Sequence, residues 1–334
     1  MCTALTLKTS NNHQLFGRNM DLEYTFGQMP LFLPRNYTAT NSETSFINTN
    51  KYAILGMGVI FNNFPTYADV MNEKGLACAG LNFPNNAKFP KQDELDLTKT
   101  CVPNYNFLLW VVSNFKNVCE VKEALKNVII TSEAISKHAP PAPLHYIITD
   151  KIGECIVVEQ TEINSKIVLN VYDNKVGVLT NNPDFNWHMT NLSQHINLSF
   201  KQVEQLELED FTVNALGQGT SLLGLVGDFT PASRFVRSVL LRDAVIKNAK
   251  NINIMQIFHI FNNVAMVDGS VITPQGKNDI TLYSSCMDLT EGVYYYNTYN
   301  NSQLNAISFK NQDLDAKELK AFEYIDKLSI NYQN

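Results

Sequence analysis

A layered α+β fold, antiparallel sheets covered by helices, is what this sequence predicts, and three observations predict it. Strand-like runs follow one another in blocks and so do helix-like runs, which argues against alternating βαβ units and a parallel sheet. The 334 residues are 45% hydrophobic and 10% aromatic, enough for one large core or two smaller ones. No Pro/Gly/Ser-rich linker, block of like charge or internal repeat divides the chain, so a single compact domain is expected.

The elements follow from pattern and punctuation. Residues 5–9 and 13–16 read as strands around the turn residues Asn11 and Asn12. A two-residue turn there pairs Cys2 with Asp21 and sets Arg18 opposite Leu5, on the wrong face for Cys2, so this reading requires a bulge at or near Gly17. Apolar runs place further strands at 52–60, 76–81, 144–149, 155–159, 166–172, 176–180, 280–284, 292–298 and 304–308. Helical periodicity marks 105–114, 118–127, 186–195, 232–249 and 254–264, with Asn117 able to cap the second and Pro231 at a first-turn position of the fourth.

Composition excludes several function classes. The net charge of −6, with no Lys/Arg cluster, argues against a nucleic-acid partner. No apolar run reaches membrane-spanning length and the start lacks the pattern of a signal peptide, so no membrane association and a cytoplasmic location are expected. The six cysteines are scattered without CxxC spacing, which indicates neither a zinc site nor a disulfide framework. The sequon matches at Asn36 and Asn191 are what an Asn-rich chain produces by chance.

The most chemical feature is the start, Met1-Cys2-Thr3, followed by Gly17-Arg18-Asn19-Met20-Asp21. A small second residue lets an aminopeptidase remove Met1, and Cys2 then carries both a thiol nucleophile and a free α-amino group that can serve as its base. Free thiols titrate near pH ~8.5 and α-amines near ~7.7–8.0, so both lie close to working pH. Arg18 is a candidate activator of the thiolate and Asp21 can orient the amine. The competing reading is that a free Cys is a small buried hydrophobe.

Three more segments place a polar group where a strand ends. Gly80-Leu81-Asn82-Phe83-Pro84 presents an Asn backbone N–H or amide, or is a plain turn. Leu179-Thr180-Asn181-Asn182-Pro183 closes a buried strand with an amide that can donate to an oxyanion, or again is an ordinary turn. Arg234 stands in the first turn of a helix, where it opposes the dipole and therefore calls for a partner such as a carboxylate. Gly217-Gln218-Gly219 is too little for a dinucleotide loop.

Together these motifs, with Pro34-Arg35-Asn36-Tyr37, Ser233-Arg234-Phe235, Asn262-Asn263-Val264-Ala265-Met266 and Tyr294-Tyr295-Tyr296-Asn297-Thr298-Tyr299, resemble the choloylglycine hydrolases over nearly the whole chain, closest to the bile salt hydrolase branch. The resemblance implies an N-terminal nucleophile hydrolase with an αββα sandwich, spanning residues 2–334 as one domain after loss of Met1. It places the catalytic set on Cys2, Arg18, Asp21, Asn82, Asn181 and Arg234, with no cofactor and no metal. Implied substrates are glycine- and taurine-conjugated bile acids, whose steroid nucleus demands a broad apolar cleft. Met20 and Phe26 flank the nucleophile in sequence, and by resemblance Phe61, Ile135, Ala139 and Leu144 join them. Each of these is also of a type that commonly fills a core. Pro140, Pro141 and Pro143 stiffen one such loop.

A homotetramer is implied in the same way. Penicillin V acylase is the alternative within the fold, and Asn82 leans against it, because those acylases often carry Tyr there. A non-catalytic binder of amphipathic acids is the alternative of another class. A scaffold role lacks any supporting repeat or coiled coil.

Overall fold

The computed structural model describes residues 1–136 and 139–334. Two large antiparallel sheets face each other. The first has six strands, in the order Val178–Leu179, Cys2–Lys8 (β1), Gln14–Leu22 (β2), Ile280–Asp288, Val293–Thr298 and Asn305–Ser308. The second has eight, in the order Lys166–Asp173, Cys155–Ile163, Leu144–Asp150, Leu76–Asn82, Phe64–Asn72, Ile54–Phe61, Met29–Leu33 and Lys320–Ala321. Helices cover both outer faces: α1 (Phe107–Asn114) and α2 (Val118–Leu125) lie on the eight-stranded sheet, while α4 (Pro231–Asn248) and α5 (Ile254–Asn262) lie on the six-stranded one. The remaining helix, α3 (Phe185–Leu192), packs beside α4 through Phe185 and Phe235. This is the αββα sandwich.

Two apolar clusters hold the layers. One joins the inner faces of both sheets to α4 and α5 through residues such as Phe16, Ala79, Ile147, Phe235 and Phe258. The other seats α1 and α2 on the outer face of the eight-stranded sheet through Val70, Cys78, Tyr146, Phe107 and Val121. Alternation along each strand therefore decides which layer a side chain enters.

The N-terminal hairpin corrects the register expected from the sequence. Cys2 pairs with Met20 and Ala4 with Arg18, so Arg18 shares a face with Cys2. The connection has three residues, Ser10 to Asn12, with the Thr9 N–H donating to the His13 carbonyl and Asn12 at φ 66°. An Asn accepts that left-handed backbone readily. One extra loop residue shifts the pairing by one, and no bulge at Gly17 is needed. The irregularity lies instead in the neighbouring strand, between Thr281 and Tyr283.

The expected helices and strands are present, with ends displaced by a few residues. Not anticipated were Met29–Leu33, Phe64–Asn72, the hairpins Thr38–Thr40/Ile47–Thr49 and Gln205–Glu207/Thr212–Asn214, and a parallel pair, Thr100–Pro103 with Val128–Thr131.

Candidate active site

β1 and β2 sort the polar residues of the N-terminal region onto two faces. Arg18, Met20 and Cys2 point between the sheets, whereas Asn19 and Asp21 point toward the helices, as Asn19 Nδ2 donating 3.0 Å to the Phe261 carbonyl of α5 shows. Cys2 is buried, at 3% exposure, with its Sγ 2.6 Å from Arg18 Nη2 and 4.0 Å from Met20 Sδ. Arg18 crosses to the other sheet, where Nη1 donates 2.8 Å to each of the Ala68 and Gly80 carbonyls. Burial works against its charge, but Cys2, Tyr283, Asp69 and Asp21 outweigh it and raise the guanidinium above its ordinary value.

Both of those carbonyls are free for a reason. Ala68 is the extra residue of a bulge, since Met57 pairs with Asp69 and Gly58 with Tyr67. Bulge residues leave their ladder groups unpaired. Strands Phe64–Asn72 and Leu76–Asn82 pair only as far as Asp69 and Ala79, then splay. Because Phe83 donates to the Pro143 carbonyl, alternation turns the N–H and C=O of Gly80 and Asn82 into that splay. The Asn82 N–H thus faces the cleft beside Cys2.

Asn181 ties the remaining groups together. Its Oδ1 accepts from the Cys2 backbone N at 2.8 Å and from Arg234 Nη2 at 2.8 Å, and its Nδ2 donates to the Asn82 carbonyl at 2.8 Å. Arg234 Nη1 donates to the Cys2 carbonyl at 2.5 Å and to Thr3 Oγ1 at 2.7 Å, and lies 4.0 Å from Asp21. The carboxylate partner called for by an arginine in a helix first turn is therefore Asp21. Burial raises the Asp21 carboxyl, opposed by Arg234, the terminal amine and Thr281, whose Oγ1 donates to Oδ1 at 2.6 Å. Met1 occupies the outer side, its N 2.5 Å from the Asp21 carbonyl and 3.3 Å from Asp279.

All six residues expected to form a catalytic set are brought into one connected group. Arg18 meets the sulfur, where a thiolate activator must stand, and one detail differs from expectation: Cys2 N bonds to Asn181 rather than to Asp21. The six expected cleft residues also converge. Met20, Phe26 and Leu144 line a cavity of about 220 Å³ together with Tyr24, Ala68 and Gly80. Phe61, Ile135, Ala139 and Leu144 line a second, of about 230 Å³, and Val59, Thr66, Tyr67 and Leu144 form a wall common to both.

Comparison with known proteins gives this geometry a context. Residues 2–322 match the family of linear amide C–N hydrolases, choloylglycine hydrolase family. The chain belongs to the choloylglycine hydrolase family. It is 54% identical to the bile salt hydrolase/transferase of Clostridium perfringens, covering 100% of both chains, and 38% identical to the conjugated bile acid hydrolase of Lactobacillus gasseri, covering 96% of this chain and 99% of that one. Its fold matches the C2A mutant of the conjugated bile acid hydrolase from Clostridium perfringens with a TM-score of 0.96, at 53% identity and 100% coverage of each. The penicillin V acylase of Agrobacterium tumefaciens, at 21% identity, TM-score 0.72 and coverage of 96% and 90%, shares the fold.

In this choloylglycine hydrolase, sequence reading missed the residues that hold the Asn181 loop. His145 Nε2 donates to the Thr180 carbonyl at 3.0 Å, which fixes the proton on that nitrogen, while Nδ1 meets Glu159 at 2.9 Å. Glu159 also accepts from the Phe185 N–H at the start of α3. His188 Nε2 donates to the Asn181 carbonyl at 2.9 Å and its ring stacks on Phe235. Asn182 bonds to the Pro84 carbonyl, and the Asn182–Pro183 peptide is cis. The available signal was a His and a Glu inside otherwise apolar strand runs, since buried polar groups require partners.

Proposed function

We propose that this protein hydrolyses the amide joining the steroid acyl group of a bile acid to glycine or taurine, through a thioester on Cys2. The observation that carries the reading is Cys2 itself, its sulfur against Arg18 and its nitrogen on Asn181, at the edge of an apolar cleft. The full-length likeness to a bile salt hydrolase/transferase of Clostridium perfringens supports that substrate class.

Removal of Met1 turns the Cys2 nitrogen into an α-amine. The amine takes the thiol proton as the sulfur attacks the amide carbon, then gives it to the departing nitrogen of glycine or taurine. Water attacks the thioester by the same route and releases the free bile acid. The carbonyl oxygen becomes an anion that the Asn82 N–H and Asn181 Nδ2 receive, the latter leaving the Asn82 carbonyl it holds at rest. Arg18 favours the thiolate. Arg234 holds the Cys2 carbonyl and Asn181, and Asp21, whose Oδ2 has no hydrogen-bond partner among the described residues, receives the new amine.

The steroid fits the two adjoining cavities, which together fall within the range of roughly 300–1,000 Å³ that suits small-molecule ligands. A cytoplasmic enzyme without membrane or nucleic-acid partners is part of the same reading. Its support is that the six cysteines are unpaired and that no helix of the described residues is long and apolar enough to cross a membrane. A homotetramer is the assembly we propose. Residues 196–223 leave Ile196, Leu206, Phe211, Leu216 and Leu223 exposed, an apolar stretch that suits contact with other copies.

The deciding experiment follows amine release by ninhydrin from glycocholate, taurocholate and penicillin V in parallel, for wild type and Cys2→Ser. Release from both bile salts, far less from penicillin V, and near silence in the variant are expected. Equal turnover by Cys2→Ser, or mature protein that retains Met1, overturns the reading.

A further inference from the structure

Beneath the Cys2–Arg18 contact lies a carboxylate that the mechanism above does not use. Asp69 is fully buried on the inner face of the eight-stranded sheet, one residue after the bulge at Ala68. It reaches across the sandwich and accepts from Tyr283 Oη at 2.6 Å, Tyr294 Oη at 2.7 Å and Ser285 Oγ at 3.0 Å, all on the six-stranded sheet. Ser285 is the direct cross-strand neighbour of Arg18, and Tyr283 that of Met20. Tyr283 faces inward only because of the irregularity after Thr281, since regular alternation from the Thr281–Asp21 pair would turn it toward the helices. Arg18 meanwhile crosses the other way, to the Ala68 carbonyl. Each sheet thus sends one charged side chain into the other, and each arrival is made possible by a bulge.

We infer that Asp69, held by Tyr283, Ser285 and Tyr294, is a positioning residue that balances the charge of Arg18 and so sets how strongly Arg18 holds the Cys2 sulfur as a thiolate. The inference rests on Cys2 being the nucleophile. Burial raises the Asp69 carboxyl above its ordinary value, with Arg18 and the three hydroxyl donors opposing; an acceptor of three O–H bonds has the geometry of a carboxylate held in a dry site by its donors. The charged groups around the sulfur are Arg18 from β2, Arg234 from α4, Asp21 across the strand and the terminal amine. Asp69 is the carboxylate on the Arg18 side of this set. An unbalanced Arg18 would trap a more weakly basic sulfur, and thiolate nucleophilicity falls with basicity.

The test is the pH dependence of Cys2 alkylation by iodoacetamide in the mature full-length protein, followed by peptide mass, with exposed Cys119 as internal reference. Asp69→Asn is expected to lower the alkylation midpoint of Cys2 by about one pH unit, with kcat for a conjugated bile acid reduced several-fold and KM little changed. Tyr283→Phe keeps the carboxylate but removes its shortest donor, and should move the midpoint the same way by less. It carries the test if Asp69→Asn does not fold. A midpoint unmoved or raised, whatever the change in thermal stability, overturns the inference. Wild-type Cys2 that alkylates no faster than Cys119 would instead overturn the assignment of the nucleophile, so the two failures are distinct.

Discussion

Cys2 and Arg18 owe their contact to a single residue of register. With the three-residue connection Arg18 faces Ala4 and its guanidinium reaches the sulfur; with a two-residue turn it would sit among the helices. Asn181 is as demanding, because its one amide accepts at Oδ1 from Cys2 N and Arg234 and donates from Nδ2 toward Asn82. Replacing Asn181 by Asp keeps the acceptor and the shape but removes the donor. The expected outcome is a loss of about 10²–10³ in kcat with KM changed far less, the signature of a lost oxyanion donor. Steady-state kinetics on a glycine conjugate check it, and a loss confined to KM would assign Asn181 to ground-state binding instead.

At the scale of elements, Gly17 is where the hairpin meets the next strand. A Cβ there would lie 2.1 Å from the Ser285 carbonyl and 3.1 Å from the Phe261 ring, so Gly17→Ala must push the adjoining strands apart or move α5. A cost of about 3 kcal/mol is expected, against less than about 0.5 kcal/mol for exposed Gly217→Ala, whose added Cβ meets nothing within 4 Å. Comparing chemical-denaturation midpoints of the two variants checks this.

Helix α3 brings a pH dependence of its own. Burial pushes His188 down to about 4 from 6.5, with the Asn181 carbonyl bond opposing and His145 adding to the fall. The unfolded chain therefore takes up a proton below pH 6.5 that the folded form resists until about 4. Stability is fully present above that window and falls by up to about 3 kcal/mol as pH drops through it. Thermal midpoints of wild type and His188→Gln between pH 7 and 4 should converge as the pH falls, and parallel curves would remove His188 as the source.

These elements also mark the limit of what the sequence discloses. Helix caps such as Asn117, whose side chain accepts from the Glu120 N–H, and Thr230, which accepts from Ser233, are local chemistry and can be read directly. Strand Phe64–Asn72 was missed although Asn62-Asn63, both at positive φ, punctuates it from Phe61. Its polar residues Thr66 and Asp69 broke the apolar pattern, and the partners of Asp69 lie on distant strands. A bulge leaves no signal in periodicity, so the contacts of Asp69 and the inward turn of Tyr283 were not legible.

For the whole molecule, the sandwich separates two demands. The polar group around Cys2 lies where two strands of the eight-stranded sheet diverge, which lets backbone groups of Asn82 and Gly80 face a cleft without breaking the core. The apolar walls come from Met20, Phe26 and Leu144 on one side and Phe61, Ile135 and Ala139 on the other, and of these Met20 reaches the polar group, its Sδ 4.0 Å from Cys2 Sγ. The excursion between α3 and α4 serves neither purpose, yet its hairpin pairs Leu206 with Val213 and leaves both exposed, near exposed Phe211 and Leu216. Water-exposed apolar side chains at that density are costly unless another chain covers them, at roughly 25 cal/mol per Å² of surface buried. Light scattering after gel filtration should give four copies of the 37.7 kDa chain for wild type and a smaller assembly for Leu206→Ser with Phe211→Ser. The double variant should keep Cys2 alkylation at the wild-type rate, because neither position touches the site. A wild-type chain that runs as a monomer, or a tetramer indifferent to both substitutions, would assign that surface to something other than self-association.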